Sequence, residues 1–304
     1  MLALDQKRLV LLKEIDQWRQ KKNKQDDLIK RAAANQRTSL IAGGKKIKLE
    51  LSRREPELRK LEPEYLDLLS RVPLPADPGT PPGADDKSNK EIKRQGNISQ
   101  FDFQPKSHIE LGKSLGLLDL ESGVHLSGYR GYVLKNEGAL LHLAVLWYAI
   151  TKLRQKGFTL VIPPTLIKEF ALFGSGHFPF DRENVYRVAE QSNLSDQKAE
   201  PLYLVGTSEP ALLALYAKKT LAEKDLPLKL CGFSPCYRSE IGSYGKDTNG
   251  IYRIHEFWKV EQVVIAKNDL PGALALLEEL RAISESILQD LELPYRVVQN
   301  CAGD

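Results

Sequence analysis

The sequence predicts an α+β protein in which a helical N-terminal arm precedes a domain built on a sheet flanked by helices. Two observations carry this prediction. Apolar residues recur at alternating four- and three-residue spacings through residues 1–72, which is the repeat of a coiled coil. Residues 231–266 begin as a short apolar and aromatic run, break at a Gly-, Asn- and Asp-rich tip, and return as a run rich in β-branched and aromatic residues, which is typical of a β-hairpin with a long loop.

The arm is predicted to be two antiparallel helices joined at a tip. The seam of the first helix consists of Leu4, Leu11, Ile15, Trp18, Ile29 and Ala32. The seam of the second consists of Ile47, Leu51, Leu58, Leu61, Tyr65, Leu68 and Val72, with a polar break at Arg54. Gly43 and Gly44 lie between the two stretches, so we expect the tip near residues 36–45. Pro56 and Pro63 take the same outward position, where they are expected to kink the helix rather than break it.

The arm also carries the positive charge of the chain. Residues 1–71 contain 18 Lys and Arg against 11 Asp and Glu, whereas the whole chain has a net charge of +4. A solvated coiled-coil stalk for dimerisation would explain the heptads alone. A basic arm on a slightly acidic body indicates instead a polyanionic partner such as a nucleic acid.

Residues 73–98 are rich in Pro and Gly and then in charges, which predicts a semi-rigid linker before the domain of residues 99–304. That domain begins with helix and strand patterns at residues 137–156 and 157–164. It ends with an amphipathic helix over residues 268–290 and a strand over residues 294–298.

Composition excludes several classes of protein. The chain of 304 residues has no apolar run approaching the ~20 residues of a membrane span, and its N-terminus does not read as a signal peptide. Cys231, Cys236 and Cys301 form no C-x-x-C pair, so neither a disulfide framework nor a zinc site is expected. We expect reduced thiols, a cytoplasmic location, and neither a membrane nor a DNA partner.

The predicted hairpin brings charged groups to one face. Arg238 and Glu240 lie two residues apart, and Arg253, Phe257 and Glu261 lie four apart, so in strands each set leaves a single side of the sheet. An Arg fork suits a phosphate, a Phe ring can stack on a base, and a carboxylate can hold an ammonium. The pattern therefore suits a nucleoside triphosphate with a small amino acid. An amphipathic hairpin with a salt-bridged polar face explains the spacing equally well.

A second candidate site follows an apolar strand at residues 202–205. Thr207 or Ser208 would cap the following helix, and Glu209 would favour its positively charged first turn. Capping explains these residues without any chemistry.

The form Arg-x-Glu, a loop, then Arg-x-x-x-Phe-x-x-x-Glu resembles motif 2 of class II aminoacyl-tRNA synthetases. Residues 234–243, Ser-Pro-Cys-Tyr-Arg-Ser-Glu-Ile-Gly-Ser, resemble the seryl-tRNA synthetases in particular. The helix, strand and proline that end at Pro164 are similar to motif 1 of the class. Thr207-Ser208-Glu209 is similar to the serine-binding loop of the seryl family. The resemblance extends over nearly the whole chain.

The resemblance implies a class II synthetase-type, mostly antiparallel sheet and a set of site residues. Arg238 and Glu240 would be catalytic, the first holding the α-phosphate of ATP and the second the adenine amino group. Ser239, Ile254 and Phe257 would complete the ATP site. Thr207, Ser208, Glu209 and Glu261 would bind L-serine, with Thr207 and Glu209 on its ammonium and Glu261 as the second contact. Mg²⁺ would arrive with the nucleotide, the arm would grip the serine tRNA, and the protein would be a homodimer.

In the resembling family, the final Cys-x-Gly-Asp of residues 301–304 precedes about a quarter of the protein, including motif 3. The resemblance therefore implies an incomplete catalytic domain, and residue 1 is expected to fall inside the first arm helix. A truncated reading frame is the first explanation and a genuine short paralogue the second. Two other functions stay open: a non-catalytic tRNA-binding paralogue, and an aminoacyl ligase that loads a carrier protein, which the basic arm disfavours.

Overall fold

The computed structural model describes residues 1–189, 200–241 and 250–304. Gly242 and Ser243, the last two residues of the segment 234–243 that resembles motif 2 of the seryl family, lie outside these ranges. The chain divides into two compact units, Met1–Pro75 and Ala76–Asp304. Within the described residues, no helix has the combination of length and apolarity that crossing a membrane requires.

The first unit is an antiparallel helical hairpin, as predicted. Helix α1 spans Leu2–Arg31 and α2 spans Ala34–Ser70. Contacts between the helices pair Arg8 with Tyr65, Arg19 with Glu55, and Gln25 with Leu40, so residue numbers rise on one helix as they fall on the other. The buried seam is made of Leu11, Ile15, Leu51, Leu58 and Leu61.

The predicted position of the tip is wrong. The helices are joined at residues 32–33, and Gly43 and Gly44 lie inside α2. These glycines serve close packing instead of a turn, because a Cβ on Gly43 would lie 3.0 Å from Nε2 of Gln25. That same Nε2 donates to the Leu40 carbonyl at 2.7 Å. Helix α2 also continues through its two internal prolines.

The second unit alternates short strands with helices. Its strands are β1 (Lys90–Gln95), β2 (Leu118–Asp119), β3 (Val133–Leu134), β4 (Thr159–Val161), β5 (Leu166–Lys168), β6 (Arg187–Val188), β7 (Leu202–Leu204), β8 (Leu228–Tyr237), β9 (Glu256–Ile265) and β10 (Tyr295–Gln299). Its helices are α3 (His108–Ser114), α4 (Leu120–Ser127), α5 (Asn136–Gln155), α6 (Glu169–Gly174), α7 (Glu209–Ala214) and α8 (Leu270–Asp290).

The central sheet has the order β4-β8-β9, with β4 parallel to β8 and β8 antiparallel to β9. The β8–β9 ladder runs from Leu228 opposite Ile265 to Tyr237 opposite Glu256 without a register shift, which confirms the predicted hairpin. A second antiparallel sheet has the order β5-β7-β6.

The predicted length of the hairpin strands is wrong at the loop end. Strand β8 stops at Tyr237 and β9 starts at Glu256, so Arg238, Glu240 and Arg253 lie outside the ladder. Beyond the ladder the backbone is no longer extended, since Glu240 adopts the left-handed region, with φ of 52°. Strand alternation therefore does not place these three side chains, whereas it does place Phe257 and Glu261.

The two faces of the central sheet bury different helices. Cys231 packs on one face with residues of α5 and α8, including Leu153 and Ile283. On the opposite face, Leu230 and Val263 pack against Leu212 of α7, which is fully buried. Burying such a side chain contributes roughly 1.5–3 kcal/mol. This packing holds the N-terminus of α7 against the sheet face that carries Glu261.

The segment of residues 73–98, predicted as a linker, contains strand β1. It pairs antiparallel with β10, from Lys90 opposite Gln299 to Gln95 opposite Tyr295. Glu285 of α8, with 5% of its surface exposed, links the two strands, because it accepts hydrogen bonds from Lys93 of β1 and from the Tyr295 hydroxyl of β10. Part of the predicted linker is therefore integrated into the second unit.

Candidate functional site

The junction between β7 and α7 carries two buried hydroxyl residues. Thr207 is 4% exposed and Ser208 is fully buried. Helix α7 has no side-chain cap, so the capping interpretation is wrong. The Thr207 hydroxyl donates to Oε2 of Glu261 on β9, and the backbone N–H and hydroxyl of Ser208 donate to the same oxygen, each at 3.0 Å. The sequence-predicted residues Thr207, Ser208 and Glu261 thus form one cluster.

Gly232 makes this approach possible. It lies opposite Glu261 in the β8–β9 ladder. A Cβ at this position would come within 2.3 Å of the Ser208 Oγ and 2.8 Å of a Leu212 methyl carbon. The missing side chain therefore lets the start of α7 sit directly on the sheet.

Lys259 completes the cluster and was not among the residues predicted from the sequence. Its Nζ donates to Oγ1 of Thr207 at 2.8 Å and lies 3.3 Å from Oε1 of Glu261. Strand alternation could have found it, because it lies between Phe257 and Glu261 at a spacing of two. On a salt-bridged hairpin face, Arg253 could instead have paired with Glu261, but it pairs with Glu240 at 3.1 Å.

The ionisation of Glu261 reflects a balance of opposing effects. Burial is the largest and pushes its pKa upward, because a charged carboxylate loses its hydration. The hydrogen bond from Thr207, the positive charge of Lys259 and the bond from Ser208 together outweigh burial. The pKa of Glu261 therefore lies below its ordinary value, and the group is a carboxylate at neutral pH.

Arg238 lies just beyond β8, and its backbone and the Nε of its side chain are held by hydrogen bonds. Its backbone N–H donates to the His255 carbonyl at 2.9 Å, and its Nε donates to the Gly206 carbonyl at 3.2 Å. The guanidinium carbon lies 5.3 Å from the centroid of the Phe257 ring. Its two terminal nitrogens make no hydrogen bond or ion pair within the described residues, so the fork is available to an anionic ligand.

A cleft of about 470 Å³ opens beside Arg238. It is lined by His177, Asp181, Asn184, Val185, Gly206, Arg238, Glu240, Ile241 and Arg253. The segment of residues 177–185 was not predicted to line a site, because the Gly-rich residues that precede it have no pattern specific to any kind of site. Ser239 fastens this segment by donating its N–H to the Asn184 carbonyl and its hydroxyl to the Glu183 carbonyl, at 3.1 and 2.7 Å.

The remaining candidates are placed less directly. Ile254 lies in the bend before β9, between Arg253 and His255. Glu209 is half-buried in the first turn of α7, and its side chain has no hydrogen bond or ion pair to any residue in the described ranges. Their roles as ATP and serine ligands stay predictions.

The arrangement has two polar centres one residue apart along the chain. Gly206 accepts from Arg238, and the next residue, Thr207, donates to Glu261. A ligand with an ammonium at one end and a phosphate at the other could bridge them. The described part of the chain has no group of three His, Cys, Asp or Glu side chains suited to a metal ion.

Comparison with known proteins identifies two family models. Residues 1–75 match the seryl-tRNA synthetase N-terminal domain, and residues 186–304 match the tRNA synthetase class II core domain (G, H, P, S and T). A protein named serine–tRNA ligase from Deinococcus radiodurans is 39% identical over 304 residues, which is 100% of this chain and 69% of that protein. One of the same name from Treponema denticola is 36% identical, over 100% and 70%.

Solved structures agree. The crystal structure of seryl-tRNA synthetase from Pyrococcus horikoshii complexed with ATP superimposes with a TM-score of 0.84 at 33% identity, covering 100% of this chain and 70% of that one. Cytoplasmic serine–tRNA ligase from Naegleria fowleri in complex with AMP gives 0.79 at 27% identity, covering 99% and 68%.

Proposed function

The chain belongs to the seryl-tRNA synthetase family, and from that premise we propose that it forms seryl-adenylate from L-serine and ATP and passes the seryl group to the serine tRNA. The observation that carries the proposal is the adjacency of the Glu261 cluster to the Arg238 fork. The Glu261 cluster suits the ammonium of an amino acid, and the Arg238 guanidinium suits a phosphate.

In the first step, an oxygen of the serine carboxylate attacks the α-phosphorus of ATP. A new carboxyl–phosphate bond forms, the bond to the β-phosphate bridging oxygen breaks, and pyrophosphate leaves. In the second step, a hydroxyl of the terminal adenosine of the tRNA attacks the seryl carbonyl and AMP leaves. Neither step needs a protein nucleophile, so the contribution of the chain is positioning and charge stabilisation.

Arg238 suits the α-phosphate because its Nε is anchored on Gly206 while its two terminal nitrogens make no bond to any described residue. Phe257 lies beneath the guanidinium and would stack on the adenine. Glu240 would accept from the adenine amino group, with Ser239 and Ile254 beside it. Mg²⁺, held by the phosphates, would neutralise their charge.

For serine, we assign the ammonium to Thr207 and Glu261 because these groups already hold an ammonium, that of Lys259. Ser208 holds the Glu261 carboxylate in place, because its backbone N–H and its hydroxyl both donate to Oε2. Glu209 is the second carboxylate of this junction and remains a proposed ligand.

Direct binding tests the proposal. Isothermal titration calorimetry with a non-hydrolysable seryl-adenylate analogue, a seryl sulfamoyl adenosine, should show saturable binding that is stronger than binding of the alanyl analogue. Serine-dependent exchange of pyrophosphate into ATP then tests catalysis. No preference for the seryl over the alanyl analogue would contradict the proposal. Binding without exchange would favour a non-catalytic paralogue.

The same premise leads us to propose a homodimer in the cytoplasm. Leu140, Leu141, Leu143 and Trp147 on α5 are each more than half exposed, a face that a second copy would cover. Analytical ultracentrifugation should give the mass of a dimer, and Trp147→Glu should shift the equilibrium between dimer and monomer toward the monomer. The three cysteines are free, which suits a reducing compartment.

A further inference from the structure

Lys259 occupies the place that the proposed function gives to the substrate. Its ammonium contacts Oγ1 of Thr207 at 2.8 Å and lies 3.3 Å from Oε1 of Glu261, the two groups assigned to the serine ammonium. The side chains of Lys259 and Glu261 are 29% and 15% exposed, so this contact is partly shielded from water.

The hydrogen bonds around Thr207 have only one possible direction. An ammonium can only donate, so the Thr207 hydroxyl must accept from Lys259. Its single proton is then directed to Oε2 of Glu261. Because Ser208 also donates twice to Oε2, the other oxygen, Oε1, is the one that faces a cation.

Among the residues that the structure describes, Lys259 is also the main cation near Glu261. The titratable groups described near this carboxylate are Lys259 on β9 and the buried Cys236 thiol on β8, and Glu209 follows Ser208 in the first turn of α7. Arg238, farther along β8, has its Nε directed to Gly206. Removing Lys259 would therefore leave a largely buried carboxylate with hydroxyl and amide donors but without its closest counter-ion.

We propose that Lys259 is a positioning residue that stands in for the substrate ammonium: before serine binds, it keeps Glu261 charged and Thr207 oriented, and the arriving ammonium then displaces it from both. The flexible stem of Lys allows the displaced ammonium to move while it keeps its charge. The inference rests on the proposed function, because that function assigns Thr207 and Glu261 to serine. The competing view is a permanent structural ion pair, like that between Lys229 on β8 and Glu279 on α8.

The first experiment measures the charge of Glu261 without any ligand. Carbon-13 NMR of labelled glutamate carboxyls, with Glu261→Gln for assignment, follows the titration of Glu261 in the wild type, Lys259→Met and Lys259→Arg. We expect the pKa of Glu261 to rise in Lys259→Met, to stay low in Lys259→Arg, and to be unchanged in the matched control Lys229→Met. An unchanged pKa in a folded Lys259→Met protein, checked by its amide spectrum, overturns the proposal.

The second experiment tests displacement with 2-aminoethanol, which keeps the ammonium and hydroxyl of serine but lacks its carboxylate. At a pH where the first experiment shows Glu261 ionised, Lys259→Met should bind 2-aminoethanol several-fold more tightly than the wild type, because the internal competitor is gone. Equal or weaker binding overturns displacement. If the wild type binds neither L-serine nor the seryl-adenylate analogue, the proposed function fails, whereas the NMR titration still decides the role of Lys259.

Discussion

At the scale of single residues, the site depends on a carboxylate whose partners come from two distant parts of the chain. Glu261 lies on β9, whereas Thr207 and Ser208, which donate to it, lie more than fifty residues earlier. Their bonds and the nearby Lys259 keep its pKa low despite burial. A charged acceptor in a partly dry pocket binds an ammonium more strongly than an exposed one would.

The first prediction replaces this charge. Glu261→Gln keeps the shape of the side chain but removes the charge, and a hydrogen bond to a charged group contributes about 1.5–3 kcal/mol. We expect serine affinity to fall by roughly 10- to 100-fold, because the group assigned to the serine ammonium loses its charge, while ATP affinity changes little. Calorimetry with each ligand measures this.

Glu279→Gln is the matched control for this substitution, because Glu279 pairs with Lys229 at 2.6 Å away from the Thr207 junction. It should leave serine affinity unchanged. Equal serine affinity in Glu261→Gln and the wild type would remove Glu261 from the amino-acid site.

The second prediction concerns the thiols. Burial raises the pKa of Cys231 to about 11 and also raises that of Cys236, because a thiolate is costly away from water. At pH 8 both thiols are therefore more fully protonated than free cysteine. Iodoacetamide should label none of the three buried cysteines in the native protein and all three after denaturation, as read by mass spectrometry. Rapid native labelling of Cys236 would show that the hairpin opens.

At the scale of elements, the site is assembled by packing α7 against the β8–β9 hairpin. Leu212 anchors the helix between Leu230 and Val263, and Gly232 leaves room for Ser208 at its start. The hairpin contributes Phe257, Lys259 and Glu261 on the same face. A shift of one element would separate the hydroxyl donors from the carboxylate.

The third prediction tests this contact. In Gly232→Ala the added methyl would overlap the Ser208 Oγ and a Leu212 methyl, so α7 must move away from the sheet. Serine affinity should fall by about tenfold or more, and the thermal midpoint should drop as well. Gly174→Ala, whose Cβ meets nothing within 4 Å, is the matched control and should leave both quantities near wild type. Unchanged serine binding in Gly232→Ala would mean that the junction tolerates displacement.

At the scale of the whole molecule, the positive charge is concentrated in the first unit. The arm of residues 1–71 has seven more basic than acidic residues, although the chain as a whole has a net charge of +4. Many of these basic side chains are exposed, including Lys22, Lys24 and Lys46. Such a surface favours contact with the phosphates of a folded RNA.

The fourth prediction neutralises part of this surface. Replacing Lys22, Lys24 and Lys46 by Gln should weaken binding of the serine tRNA. It should also reduce the slope of log affinity against log salt by up to about 0.9 for each phosphate that the arm no longer neutralises. Filter binding across a range of salt concentrations measures both effects, and serine binding should not change.

The control replaces Lys106, Lys113 and Lys224, exposed residues of the second unit, and changes the net charge equally. If both triple variants lower tRNA affinity by the same amount, the effect comes from overall charge. The assignment of the arm as the RNA-binding element would then be wrong.

Local sequence patterns were sufficient for the elements and for part of the site. The heptad seam predicted the helical hairpin, an apolar and aromatic run predicted β8, and a run rich in β-branched and aromatic residues predicted β9, because each pattern reflects which face of one element is buried. Within β9, alternation alone put Phe257 and Glu261 on a common face, and it would have added Lys259.

What the sequence by itself determined is therefore the type of each element, the alternation of its faces and, through resemblance, the family. Only the tertiary structure decided that the arm turns at residues 32–33, that β1 pairs with β10, and that Thr207 and Ser208 donate to Glu261 rather than cap α7. The physical reason is that these contacts join residues far apart in the chain. Their geometry depends on how helices and strands pack, as at Gly43 and Gly232, and not on the periodicity within any single element.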